Sequence, residues 1–148
     1  MKEPAVFLAQ FMGDEAPFNN LKNICEYMAN LGYKGVQIPT FDPRCVDLKK
    51  LAENKDYADE IKGIVHEAGC EITELSTHLQ GQLVAVHPAY NSLLDGFAPK
   101  EYHNNPKART EWAIDQLKLS AKASQHLGVT EHVTFSGAYL WPTLYPFP

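Results

Sequence analysis

The side chains best suited to chemistry gather around one short run of the 148 residues, Ser76-Thr77-His78-Leu79-Gln80-Gly81-Gln82. His78 is the sharpest candidate. It follows an apolar pattern that ends as a strand, and an imidazole placed there can hold or pass a proton near neutral pH. Gln80 and Gln82 follow closely, and their amides can bind hydroxyl groups. His87 and Tyr90 lie further on, with Tyr102 and His103 beyond them. Loop histidines are more often solvated than functional, and His87 is retained as a candidate substrate contact. His66 and His126 fall inside helical patterns, and His132 opens a strand; all three read as structural or exposed. Glu74 lies inside the strand that precedes His78, and Gln37 inside an earlier one. A buried carboxylate is costly without a partner, so Glu74 is either a group supporting a site or half of a salt bridge. Trp141, beside Pro142, offers an aromatic wall for a ring-shaped ligand or plain loop packing.

Several classes of chemistry are disfavoured. There is no His-Glu-x-x-His and no Cys-x-x-Cys, so no compact metal motif stands in the chain. That excludes little, because a site can draw one ligand from each of several strands. Cys25, Cys45 and Cys70 form no even set, and they read as buried free thiols. A net charge of −5 argues against a nucleic acid as the main partner. No apolar run approaches the ~20 residues that span a bilayer. Met1-Lys2-Glu3-Pro4 lacks the apolar segment of a signal peptide, so a cytoplasmic location is the default expectation.

The elements that must position these residues follow a repeat. Val6 to Met12 reads as a short strand. Leu21, Ile24, Cys25, Met28 and Leu31 then keep one helical face, with Asn19 or Asn20 to cap it and Gly32 to end it. Gly35 to Pro39 is a second strand. A short helix near Asp47–Glu53 precedes a longer one capped by Asp56, carrying Ala58, Ile61, Ile64, Val65 and Ala68, and ended by Gly69. Glu71 to Thr77 is the third strand, with imperfect alternation. Residues 79–105 are a long connection on the strand's C-terminal side, where insertions are usually functional or disordered. Pro106 opens a long helix with Trp112, Ala113, Leu117, Ala121 and Ser124 on or near its inward face. Gly128 ends it, and His132 to Phe135 is the fourth strand.

Leu31-Gly32, Ala68-Gly69 and Leu127-Gly128 each close a helix just before a strand. Repeated units of this kind predict a parallel α/β sheet with sequential strand order and the major helices on one face. An open doubly wound sheet would reorder the strands, but the first strand lacks the Gly-x-Gly-x-x-Gly turn of a dinucleotide fold. The expected fold is the N-terminal half of a (β/α)8 barrel, spanning residues 1–148 and stopping after the fourth strand, at Trp141 to Pro148. In such barrels chemistry sits at the strands' C-terminal ends.

Three segments carry a family resemblance. Leu31-Gly32-Tyr33-Lys34-Gly35-Val36-Gln37-Ile38 resembles the LGYDGVEL signature of the xylose isomerase-like barrels. Glu74-Leu75-Ser76-Thr77-His78-Leu79 resembles their third-strand motif ending in histidine. Ala123 to Gly128, followed by Val133-Thr134-Phe135-Ser136-Gly137, resembles their fourth-strand segment. Sugar phosphate isomerases and epimerases are the members most similar in appearance. The resemblance implies a small sugar or polyol substrate and a divalent metal (manganese, magnesium, cobalt or zinc). That metal would be held mainly by carboxylates and histidine of later strands, with proton transfer between adjacent carbons. It implies substrate binding by His78 and, less directly, by Trp141. An inosose dehydratase-like lyase and a noncatalytic sugar-binding or assembly module stay open. DNA-repair relatives hold zinc with a third-strand histidine and a fourth-strand HPG histidine; Phe135-Ser136-Gly137 lacks the latter. As a half-barrel the chain is expected to lack a full metal site, to show little isomerase activity as a monomer, and to self-associate through its open sheet edges.

Overall fold

The computed structural model describes residues 3–141; the proline-rich run from Pro142 onward lies outside the described residues. Four strands form one parallel sheet in sequential order: β1 (Ala5–Phe7), β2 (Gly35–Pro39), β3 (Glu71–Ser76) and β4 (His132–Val133). The reordered sheet of a doubly wound fold does not occur. The chain divides into two compact units, residues up to 76 with 119–133, and residues 77–118 with those from 134 on.

The first unit contains the sheet. Helix α1 (Leu21–Asn30) starts where the Asn20 side chain accepts a hydrogen bond from the Asn23 amide at 2.9 Å. It buries Leu21, Ile24, Cys25 and Met28. Leu31, expected on the same stripe, is the C-cap residue and is 59% exposed. Gly32 takes φ +95°, and the Tyr33 amide reaches back to Met28 O at 3.1 Å, closing the helix as the sequence predicts. Helix α2 (Leu48–Glu53) is capped by Asp47. Helix α3 (Lys55–Glu67) is capped by Asn54, not by the expected Asp56. Asn54 sits in extended backbone between the two helices; its amide closes α2 on Lys50 O and its side chain opens α3 on the Tyr57 amide. Asp56 falls in the first turn instead, where its charge favours the helix N-terminus.

The core of this unit lies on one face of the sheet. Val6, Leu8, Val36, Ile38 and Leu75 meet Ile24, Met28, Leu51, Ile61, Val65 and Leu127 from the helices. Each such side chain contributes about 1.5–3 kcal/mol by leaving water. Cys25, Cys45 and Cys70 are buried and free, as expected. Burial pushes the Cys25 and Cys45 thiols up to about 12, so both stay protonated at neutral pH.

Two strands are shorter than their patterns. β1 stops at Phe7: the Leu8 amide still bonds Gln37 O at 3.1 Å, but the Phe11 amide turns back to Leu8 O at 2.9 Å. β4 stops at Val133, the last residue paired with β3.

The second unit corrects the long-connection reading of residues 79–105. It holds α4 (His78–Gln82), 3-10 turns over Pro88–Phe97 and Lys100–Tyr102, and the start of α5 (Pro106–Leu127). The buried face of α5 is Arg109, Ala113, Ser120, Ala123, Ser124 and Leu127. Ala121 is exposed, and Trp112 and Leu117 are half-buried. A helix that buries arginine and serine defeats a search for an apolar stripe, which settles on the wrong angular phase. Among the described residues no helix is long and apolar enough to cross a membrane.

Candidate functional site

His78 is the first residue of α4, directly after β3 ends at Ser76. Its ring meets Phe135 edge-on, with centroids 5.1 Å apart and planes at 71°. Phe135 in turn meets Trp141, at 5.4 Å and 83°. Phe135, which the sequence analysis read only as strand, therefore joins His78 and Trp141 into one aromatic row. Burial holds the His78 imidazole below its ordinary value of 6.5. At neutral pH the ring is neutral, with one nitrogen able to accept and the other to donate.

The local chain is shaped to allow this. A Cβ at Gly81 would overlap Thr134 Oγ1 and the Phe135 carbonyl oxygen, so only glycine lets α4 lie against the segment that carries Phe135. Thr134 Oγ1 donates to Thr77 O at 3.3 Å, and the Gly137 amide donates to Gly81 O at 2.8 Å. Gly137 takes φ +101° in the same contact. The signal was present in Gln80-Gly81-Gln82, where a glycine interrupts a run of large side chains.

Gln80 and Gln82 are 2% and 4% exposed. Among the described residues the Oε1 of each is buried without a hydrogen-bond partner. An unpaired buried carbonyl is costly, and a donor brought by a ligand or a water would relieve it.

His87 does not join the His78 row. Its ring lies 5.6 Å from Tyr90 and 5.2 Å from Tyr139, in a separate aromatic group. Its Nδ1 accepts from the Ala89 amide at 3.2 Å, which leaves Nε2 to carry the proton. His103 reaches Ala98 O at 3.0 Å through Nε2 and braces the loop. Tyr102 stacks on Trp112 at 5.6 Å. Trp141 also packs against the small apolar cluster of Leu83, Leu94, Ala113 and Ala138, which is the loop-packing role the sequence offered for it.

The loops of this unit are fastened by Arg109, which is fully buried. Its NH1 donates to Asp95 Oδ1 and to Asn91 O, both at 2.6 Å, and its NH2 donates to Asn91 Oδ1 at 2.8 Å. Asp95 Oδ2 accepts from the Asn104 amide at 2.9 Å. Burial alone would raise the Asp95 carboxyl; the Asn104 amide and the Arg109 guanidinium outweigh it and hold it low. In the first unit Arg44 does similar work beyond β1 and β2, bonding Asp42 through Nε and NH2 and Asp14 through NH1 at 2.8 Å. Neither arginine carries a local signal in the sequence.

Of the remaining histidines, His126 Nδ1 lies 3.0 Å from Leu51 O and His132 Nδ1 lies 3.4 Å from Ser124 Oγ. Among the described residues no group of three or more His, Cys, Asp or Glu side chains is placed to hold a metal ion.

No curated protein matches the chain. A family model described as xylose isomerase-like TIM barrel matches residues 25–146. That span includes β2, β3, β4 and every residue of the His78 row. With parallel strands in sequential order and its helical core on one sheet face, the chain belongs to the xylose isomerase-like TIM barrel family.

Proposed function

We propose that the barrel to which residues 25–146 belong acts on a small sugar or polyol as an isomerase or epimerase, moving a proton between adjacent carbons. Family membership over residues 25–146 carries this reading. The local chemistry supports it. A neutral, half-buried His78 can hydrogen-bond a substrate hydroxyl or exchange a proton with it. The unpaired amide oxygens of Gln80 and Gln82 suit further hydroxyl donors. Phe135 and Trp141 offer ring faces to the C–H side of a sugar.

A divalent metal belongs to the proposal through the family resemblance. The described residues do not themselves form a ligand set for it. Nothing in the roles given to His78, Gln80, Gln82, Phe135 and Trp141 depends on it.

The test is solvent exchange. Incubating the full chain in D2O with a panel of ketoses, aldoses and inososes, with each divalent metal, should place deuterium on the carbon next to the carbonyl. His78→Asn should slow this by about 10²-fold, the usual contribution of a positioned acid or base. Loss of water from an inosose, without exchange into returned substrate, would move the assignment to a lyase. No exchange with any sugar and metal, together with no binding of any of these sugars, would overturn the reading.

A further inference from the structure

We propose that Glu74, aimed by a β-bulge and held by Gln37, is a hydroxyl-binding carboxylate on the sheet face opposite the apolar core. The proposal deepens the sugar or polyol reading above and rests on it.

In an unbroken strand, side chains alternate between faces. β2 obeys this: Val36 and Ile38 lie in the core, so Gln37 points to the opposite face. β3 does not. Ile72 packs against the core and Leu75 lies in it, three residues apart. The pairing explains how. Val36 is opposite Ile72, but Gln37 is opposite Glu74, so Thr73 is an extra residue. This is a β-bulge, a device that re-aims side chains and is over-represented beside active sites.

The extra residue is built in. Thr73 Oγ1 donates to Val36 O at 3.2 Å. A Cβ on Gly35 would come within 2.5 Å of the Thr73 methyl and 2.9 Å of Ala5 Cβ, so the missing side chain at position 35 makes room for the bulge. Without the bulge Glu74 would share a face with Ile72, in the apolar core. With it, Glu74 stands beside Gln37, whose Nε2 donates to Glu74 Oε1 at 2.6 Å.

From the sequence, Glu74 is either half of a salt bridge or a group supporting a site. Among the described residues no cation pairs with it; its partner is a neutral amide. An amide orients a carboxylate without cancelling its charge. A carboxylate has about four lone-pair positions, and Gln37 takes one. The remainder accept hydroxyl hydrogens, and their charge makes those bonds stronger than neutral ones. Anionic ligand groups are disfavoured at the same point.

The experiment measures affinity of the full chain for D-xylulose and scyllo-inosose by calorimetry. Glu74→Gln keeps shape and removes charge; binding should weaken about 10- to 100-fold. Gln37→Met keeps the carboxylate and removes its orienting donor; the loss should be about 2- to 10-fold. Should Glu74→Gln fail to fold, Glu74→Asp keeps the charge but withdraws it by one methylene, and weakened binding is again expected. Binding that survives these Glu74 substitutions but falls in His78→Asn overturns the role of Glu74 and leaves the polyol reading standing. Wild-type chain that binds neither probe overturns both.

Discussion

Around the sheet, the largest fully buried side chains are all apolar: Leu8, Ile24, Met28, Val36, Ile38, Leu51, Val65 and Leu75. In the unit built from residues 77–118 and those from 134 on, the largest is Arg109, followed by Leu83, Gln80 and Thr77. Among the described residues, the apolar cluster there has Leu83, Leu94, Ala113 and Ala138 at its centre. The two regions resist disorder by different physics. Apolar burial is non-directional and degrades gradually as atoms are removed. A buried guanidinium joined to Asp95 and Asn91 is directional, and removing one member strands the others away from water.

Truncation at the two centres sharpens that contrast. Arg109→Met should cost about 3–5 kcal/mol, because it leaves the buried Asp95 carboxylate without its cation. Leu51→Ala should cost about 2–5 kcal/mol through lost transfer energy and a cavity. Denaturation measures both totals, and hydrogen exchange separates them. Arg109→Met should strip protection from residues 88–105 first. Leu51→Ala should lower protection across the sheet and its helices. Equal loss of protection everywhere in both variants would mean that the division into two kinds of stabilisation is wrong.

A smaller effect is expected where the second unit is packed by shape. Gly81→Ala forces a methyl into Thr134 Oγ1 and the Phe135 backbone. Overpacking of this kind costs about 1–3 kcal/mol. The variant should stay folded while the His78–Phe135 contact opens, read as a changed ring-current shift on the His78 imidazole. An unchanged shift would show that Gly81 does not set the aromatic row.

The smallest effects are those of pH, and they share one sign. His78 has its folded pKa below 6.5, through burial, so the folded state prefers the neutral ring. Its contribution is complete above 6.5 and is lost as the pH falls through the lower folded value. Asp42, held low mainly by its Arg44 hydrogen bond, and Asp95 both lie below 3.8 in the folded chain. Their contributions are complete above 3.8 and disappear on further acidification. NMR titration should place all three midpoints below those values, and Arg109→Met should move Asp95 upward while leaving Asp42 in place. An Asp95 midpoint at or above 3.8 in the wild type would remove the electrostatic half of the comparison.

Legibility in the sequence follows the same divide. Strand order, α1 with its Asn20 cap, and the glycines at 32, 69 and 128 were readable because periodicity and left-handed caps are local signals. The bounds of β2 were readable for the same reason. The phase of α5 and the helical turns of residues 88–105 were not. Their order comes from Arg109 meeting Asp95, fourteen residues earlier in the chain, and no periodic pattern records such a pair. The imperfect alternation of β3 was visible, but its cause was not. One extra residue becomes a bulge only when its partner strand fixes the register. Asn54, and not Asp56, caps α3; because Asn54 also closes the helix before it, it has no standard spacing to reveal it.

That shared residue has a practical consequence for anyone remodelling the chain. Between Glu53 and Lys55 the linker is Asn54 alone, with its amide committed to Lys50 O and its side chain to the Tyr57 amide. There is no slack at this junction for a tag, an epitope or a permuted terminus. A break or insertion there would remove the stop signal of one helix and the start signal of the next in a single cut.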